Sequence, residues 1–345
     1  NWKPFQLNLP VVPITDMTIK ENDLIIATQG RGFYVLDDLT VIQQVKADIA
    51  NKNLHVFDVN PGWRMPMSRF GRRFGTAQNI GENPAGPLLI TYYTNAVTDS
   101  TKASISIMDK NKKLIKTFST DAKDKLDIKK GLNSFAWDLQ YPPAEPSEGM
   151  ILWNGAPGTI TAAPGNYFAQ VKVGTDSSVV PFTIKADPNY RMTQEAYEEQ
   201  FNFLLSVQQK FNDVQKGIKD IRALRTQINE FVGRQGKDCP KEIKDMSTAI
   251  TKELTSIEET LYQTKSKSGQ DPLNYPIRIN DKLSGVFDVA NSGVNAPSKQ
   301  SKEVFAELSK QADEQLNKLK KIVNEDVPKF NQLIREKNLN VIGVK

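Results

Sequence analysis

Residues 22–39 read NDLIIATQGRGFYVLDDL, two β-prone runs on either side of a glycine-containing turn. The first run covers residues 23–28 and the second covers residues 33–36, so the pattern predicts a β-hairpin. Two strands bury too little apolar area to be stable in water by themselves. We therefore expect the hairpin to complete a larger sheet whose other strands precede Asn1.

Six further β-like runs lie between residues 88 and 184 and are separated by turn residues. Residues 104–107 alternate polar with apolar side chains, as a sheet with one buried face requires. Several short antiparallel strands within roughly 100 residues are typical of an immunoglobulin-like β-sandwich. Its expected core aromatic residues are Phe135, Trp137 and Tyr167.

After residue 187 the hydrophobic period changes from two to three and four, which indicates helices. The first predicted helix is about forty residues long and begins after an N-cap at Thr193. A second opens at Pro240, and a third begins at Ser298 and is kinked or ended by Pro328. A short helical turn is expected around residues 282–289. Three helices with matching apolar stripes predict an antiparallel three-helix bundle.

The composition limits the chemistry that the chain can perform. With 39% hydrophobic and 25% charged residues, the chain has the composition of an ordinary globular protein. One cysteine, Cys239, excludes an internal disulfide framework and a multi-cysteine metal site. The single histidine, His55, removes the usual general base and the usual zinc ligand set, and a packed imidazole is the expected role for it. No cofactor and no metal are expected.

The charge pattern bears on the class of partner. Lys and Arg together number 45 against 40 Asp and Glu, for a formal net charge of +5. The lysines are interleaved with glutamates along helical stretches, which is typical of solvated helix faces, so no nucleic-acid partner is expected. No window approaches the roughly 18 consecutive apolar residues of a membrane span, and none is expected.

Residues 63–74 form the most unusual segment, because four arginines alternate there with aromatic residues. Such a segment could stack on bases or sugars and bind anions. It could equally be a linker whose arginines bind carbonyls and carboxylates of two flanking domains. The candidate ligand or interdomain contacts are Trp63, Arg64, Arg69, Arg72 and Arg73.

Two groups of acidic residues have a functional and a structural interpretation. Asp37 and Asp38 could form an acidic pair for glycoside chemistry, or could cap a turn and accept hydrogen bonds from backbone amides. Asp121, Asp124 and Asp127 resemble a calcium loop only in acidity, since its ligand spacing and its glycine are missing. The structural interpretation is favoured for both groups.

Residues 22–39 closely resemble the last-blade signature of bacterial Asp-box β-propeller proteins related to sortilin, a family often labelled glycosyl hydrolase. The similarity continues through residues 81–84, 131–139, 163–167 and 275–283. The resemblance implies an exported bacterial protein with a large N-terminal propeller followed by a sandwich and a helical tail. It assigns no catalytic residue to this chain, because the hydrolase label rests on propeller similarity, which is an analogy of fold.

The expected fold class is therefore multidomain β plus α, with terminal β-propeller strands, an immunoglobulin-like β-sandwich and an antiparallel three-helix bundle. The last propeller strands are expected in residues 1–50 and a wrapping linker in residues 51–87. The sandwich is expected in residues 88–187 and the helical bundle in residues 188–345.

Two functions remain open. In the first, the chain is the non-catalytic C-terminal region of an exported β-propeller protein and serves protein binding or assembly in a larger complex. Its partners would be the missing N-terminal propeller, on the same or a separate chain, and other proteins of a cell-envelope complex. In the second, it is an accessory region of a propeller hydrolase that acts on glycans or peptides, with the active site upstream. The expected location is periplasmic, outer-membrane-associated or extracellular.

Overall fold

The computed structural model describes residues 4–65, 86–95, 97–98, 100–122 and 126–339. It contains several β-sheets followed by long helices, so the coarse prediction of a mixed β plus α structure is confirmed. The contacts divide the chain into two compact units. The first unit comprises Asn1–Leu139 and Pro164–Asp187, and the second comprises Gln140–Ala163 and Pro188–Lys345.

The first unit opens with a three-stranded antiparallel sheet of β1 (Ile14–Lys20), β2 (Asp23–Thr28) and β3 (Gly32–Leu36), in that order. The predicted hairpin is confirmed as β2 and β3. The expectation that the other strands of its sheet all precede Asn1 is wrong for β1, which lies within the chain and pairs with β2. Its turn places Gly30 at a φ of 83° and Gly32 at 70°, in the region that glycine occupies without a Cβ clash. All residues of these three strands are exposed or half-buried.

The remaining strands and short helices before the long helices are, in chain order, α1 (Thr40–Gln44), a 3-10 turn (Ile49–Asn51), β4 (Leu54–Val56), β5 (Gly62–Arg64), β6 (Leu88–Thr94), β7 (Ala103–Met108), β8 (Leu114–Ser119), β9 (Gly131–Trp137), β10 (Gln140–Tyr141), β11 (Ile160–Thr161), β12 (Gly165–Val173) and β13 (Asp176–Ala186). All six β-like runs between residues 88 and 184 are confirmed as strands. One sheet has the order β4-β6-β9, and another has the order β5-β13-β12-β7-β8. Their pairs are antiparallel, apart from the parallel pair of β5 and β13.

The core of the first unit is built by alternating residues of these two sheets. Burial alternates along β6 and β7, as the period-two pattern predicts. Trp137 on β9 is fully buried, and its ring centroid lies 6.2 Å from that of Tyr167 and 5.9 Å from that of Phe182, both edge-on. Trp137 and Tyr167 are thus confirmed as core residues, whereas Phe135 is half-buried against Phe118, at 4.7 Å between centroids.

The helices of the second unit are, in chain order, α2 (Gln194–Gln235), α3 (Lys241–Leu261), α4 (Ile279–Asn291), α5 (Lys299–Lys321) and α6 (Val327–Glu336). Thr193 caps α2, because its hydroxyl accepts a hydrogen bond from the amide of Ala196 at 3.2 Å. Ser298 caps α5 in the same way, with 3.0 Å to the amide of Ser301. Both predicted helix starts are confirmed.

Two helical features are longer than the sequence pattern suggested. The turn expected around residues 282–289 is the 13-residue helix α4, whose Leu283 and Phe287 are fully buried in the same core as α2, α3 and α5. After α5 the chain stays helical through a π-helical turn, Ile322–Asp326. Pro328 has no amide hydrogen with which to continue the helical ladder, and the π-helical turn lies directly before it, at the place where the sequence predicts a kink or an end.

The segment Gln140–Ala163 belongs with the helices, although the sequence pattern placed it within the sandwich range 88–187. It contains the short antiparallel pair of β10 and β11, and its Ala144 and Ile160 are buried in the helical core. The segment has little hydrophobic periodicity of its own. Its place in the structure is set by contacts with residues far away in the sequence.

Candidate docking surface

The arginine-rich segment begins in a sheet of the first unit. Trp63 and Arg64 lie in β5, paired with Lys185 and Ala186 of β13. Trp63 is 41% exposed, and the ammonium nitrogen of Lys185 lies 5.4 Å from its ring centroid. Arg64 is buried. These two residues take part in the sheet, while ligand binding and a linker role both remain predictions for the segment. Arg69, Arg72 and Arg73 lie outside the described residues.

Asp38 stabilises the chain turn after β3. Its backbone has a φ of 54°, and its carboxylate accepts hydrogen bonds from the amide of Thr40 at 3.0 Å and from the side-chain amide of Asn60 at 2.6 Å. Its own amide donates to the carboxylate of Asp23 at 2.9 Å. Asp38 therefore has the turn-capping role, and its neighbour Asp37 is exposed.

His55 is packed against an aromatic ring. Its centroid lies 4.8 Å from that of Phe57, with the two rings nearly perpendicular. Burial lowers the pKa of His55 from its usual value, and the positive charge of Lys52 acts in the same direction. The packed role expected for this residue is confirmed.

The other candidate ligands are placed as follows. Cys239 is buried. Asp121 forms an ion pair of 3.0 Å with Lys102, and Asp124 lies outside the described residues. Within the described part of the chain, His, Cys, Asp and Glu form no group of three that could hold a metal ion. The helices described here include none that is both long and apolar enough to cross a membrane.

The sheet of β1, β2 and β3, which we call the open sheet, presents an uncovered apolar face. Residues directly opposite one another in neighbouring strands share a face, so the register defines two rows on the same side. These rows are Ile19, Leu24 and Leu36, and Met17, Ile26 and Tyr34. Met17 is 63% exposed and Ile19 is 58% exposed, so part of this face meets solvent directly.

The opposite face of the open sheet is also partly apolar. Its rows are Thr18, Ile25 and Val35, and Asp16, Ala27 and Phe33. Phe33 is 77% exposed and Val35 is 55% exposed. Contiguous exposed apolar side chains of this kind mark interaction surfaces on soluble proteins. The open sheet is therefore the candidate docking surface of the first unit.

A network of hydrogen bonds fixes the end of the open sheet. Leu39 is buried, and its amide donates to the carbonyl of Asn22 at 2.7 Å. The side-chain amides of Asn22 and Asn60 both donate to the hydroxyl of Thr40, at 3.1 and 2.8 Å. These bonds hold the loop after β3 against the turn between β1 and β2, so the apolar faces are supported by ordered backbone.

The strand β1 had the weakest sequence signal of the three. Its residues, ITDMTIK, are all exposed, and the only pattern is the alternation of Met17 and Ile19 with Thr18. A half-buried edge strand would show a stronger contrast between its two sides. The register with β2 places Met17 and Ile19 on the same face of the open sheet.

A scan against protein-family models gives no match to the chain. A search of curated proteins likewise finds nothing similar.

Proposed function

We propose that the open sheet is part of a β-propeller blade and that the chain is a non-catalytic assembly region of an exported β-propeller protein. The observation that carries this proposal is that apolar side chains are exposed on both faces of the open sheet. A sheet with one solvated face would have polar side chains on that side. A propeller blade is covered on both faces by its neighbours, and both faces are then apolar.

The strand order supports the same proposal. The open sheet is an antiparallel meander in the order β1-β2-β3, and a propeller blade is a four-stranded sheet. One more strand at an edge of the open sheet would complete such a blade. The backbone amides and carbonyls along the outer edge of β1 or β3 can pair with that strand.

The proposed occupant of both faces and of the free edge is the set of propeller strands, on the same or a separate polypeptide. The resemblance of residues 22–39 to a last-blade signature supports this choice. The Asp38 network would then fix the exit of the chain from the blade, because it holds the loop after β3.

We also propose a fold for the rest of each unit. We propose that β4 to β9 together with β12 and β13 form an immunoglobulin-like sandwich, on the grounds of the buried Trp137 that packs against the facing sheet. We propose likewise that α2, α3 and α5 form an antiparallel bundle, with α4 packed on it.

Site-specific photo-crosslinking in the native host tests the proposal. A photoreactive phenylalanine analogue replaces Met17 in the open sheet, and in a control protein it replaces Val304, an exposed aliphatic residue of α5. We expect residue 17 to cross-link to strands of a β-propeller, identified by mass spectrometry of the linked peptides. Residue 304 should not give these peptides.

Two results would count against the proposal. One is an equal yield of propeller cross-links from both positions. The other is the absence of propeller peptides from residue 17 in a protein whose circular dichroism and melting temperature match the parent. If the substitution at Met17 changes the circular dichroism or the melting temperature, the photoreactive residue is placed instead at Phe33, on the opposite face of the open sheet.

A further inference from the structure

A cleft in the second unit combines two arginines with a buried glutamate. Its volume is about 470 Å³. It is lined on α2 by Arg222 and Arg225, on α3 by Thr255 and Glu258, and after α3 by Tyr262 and Ser266. None of the predicted site residues lies here.

Glu258 holds both guanidinium groups in place. Its side chain is 3% exposed, and its two oxygens accept hydrogen bonds from Arg222 Nε and Arg225 Nη2, each at 2.6 Å. Arg225 Nη1 also donates to the hydroxyl of Thr255 at 3.2 Å. Two arginines face one carboxylate, so the cluster keeps one positive charge.

The arginines can donate further hydrogen bonds into the cleft. The Arg222 side chain is 37% exposed and that of Arg225 is 28% exposed, so both reach solvent. Arg222 lies over the ring of Tyr262, with 5.5 Å between Cζ and the ring centroid. A guanidinium oriented in this way presents its two terminal nitrogens as a fork for an anion.

Ser266 gives a second, independent observation. Only 7% of this residue is exposed, and its buried hydroxyl has no hydrogen-bond partner among the described residues. Buried hydroxyl groups nearly always have a partner in folded proteins. The residue lines the same cleft as the two arginines, and its hydroxyl is closed to solvent in this structure. A rotation of the Ser266 side chain about χ1 would bring this hydroxyl to a ligand oxygen bound in the cleft.

We propose that this cleft binds a carboxylate, with Arg222 and Arg225 as charge partners and Ser266 as an additional hydrogen-bond donor. A single carboxylate balances the residual charge of the cluster, and its planar pair of oxygens matches the arginine fork. The carboxylate could belong to a small organic acid or to an acidic side chain of a partner protein. This proposal is independent of the role given to the open sheet.

Nuclear magnetic resonance titration of the full chain tests the proposal. The probes are sodium acetate and the capped tripeptide acetyl-Gly-Glu-Gly-amide, with acetyl-Gly-Gln-Gly-amide as the uncharged control. Both carboxylates should shift the backbone amide signal of Ser266 and the Nε–H signals of Arg222 and Arg225, and the glutamine peptide should not. Tighter binding of the glutamate peptide would indicate a protein side chain, and tighter binding of acetate would indicate a small acid.

Three variants make the test specific. Ser266→Ala removes a hydroxyl that makes no hydrogen bond in the described structure, so folding should be unaffected, and binding should weaken by about 3- to 10-fold. The double variant Arg222→Gln with Glu258→Gln removes one charge of each sign and should weaken binding by more than about 10-fold. Lys310→Gln, an exposed charge on α5, should bind like the parent.

Three results would overturn the proposal. The first is the absence of shifts at Ser266 and the two arginines with either carboxylate. The second is equal binding by the parent, Ser266→Ala and the double variant. The third is tighter binding of inorganic phosphate than of both carboxylates, since that would assign the cleft to a different anion.

Discussion

Asp281 joins two segments that are far apart in the sequence. One of its carboxylate oxygens accepts a hydrogen bond from the amide of Trp153 at 2.7 Å, and the other accepts one from the amide of Asn154 at 3.0 Å. The side-chain amide of Asn154 donates to the same carboxylate at 3.0 Å. Asp281 is buried on α4, so these bonds replace the water that the charge would otherwise bind.

Asp281→Asn should destabilise the second unit by about 1–3 kcal/mol, because an amide has one acceptor oxygen where the carboxylate has two. Urea unfolding followed by helical circular dichroism measures the change. Glu259→Gln, an exposed charge on α3, is the matched control and should alter the free energy of unfolding by less than about 0.5 kcal/mol. Equal unfolding midpoints for the two variants would contradict the role of Asp281.

His55 should titrate below the usual histidine pKa of 6.5, because burial disfavours the charged imidazole. The folded-state pKa is then lower than the unfolded-state value. The stabilisation is present above the unfolded-state pKa and is lost as the pH falls through the folded-state pKa. This is the only histidine, so its ring proton gives one unambiguous signal in a pH titration by nuclear magnetic resonance. A midpoint at or above 6.5 would contradict the packed environment.

At the scale of elements, the segment Gln140–Ala163 is held to α2 by side-chain amides. The amide of Gln208 donates to the carbonyls of Pro142 at 3.1 Å and Gly158 at 3.2 Å. The amide of Ser147 donates to the side chain of Gln215 at 3.2 Å. These bonds satisfy backbone groups of a segment with little regular secondary structure.

A fragment of residues 188–345 should therefore be incompletely packed without this segment. Ala144 and Ile160 are buried in the helical core, and their loss would leave apolar surface of the helices exposed. Addition of a peptide of residues 140–163 should raise the melting temperature of the fragment by several degrees, and the increase should grow with the logarithm of the peptide concentration above its dissociation constant. A peptide of the same composition in scrambled order is the control. An equal effect of both peptides, or none, would contradict the assignment of this segment to the second unit.

Elements with a local cause were predictable from the sequence. Thr193 and Ser298 cap helices by accepting hydrogen bonds from amides three residues ahead. The capping residue and the helix that it starts are therefore adjacent in the sequence. The contact of Asp281 with Trp153 spans 128 residues, and no local pattern contains it. The cleft was only partly predictable from the sequence. The position of Glu258 next to Ile257 on the buried side of α3 is a local pattern, but its arginine partners lie 33 and 36 residues earlier in the chain.

At the scale of the whole molecule, the exposure of the open sheet determines how readily its strands open and exchange their amide hydrogens. Its apolar side chains are exposed on both faces, whereas β6, β7 and β12 of the other two sheets bury alternate residues. A sheet without cover opens locally at low free energy, and its amide hydrogens then exchange with solvent. Cover by propeller strands would suppress that opening.

Hydrogen exchange at the backbone amides of β1 and β3 distinguishes these states. The chain of residues 1–345 is compared with the native protein isolated from its host, and the amides of β12 serve as the internal reference. We expect β1 and β3 to exchange at least about 10-fold more slowly in the native protein, with β12 unchanged. Equal exchange of β1 and β3 in both samples would contradict the proposal that propeller strands cover the open sheet.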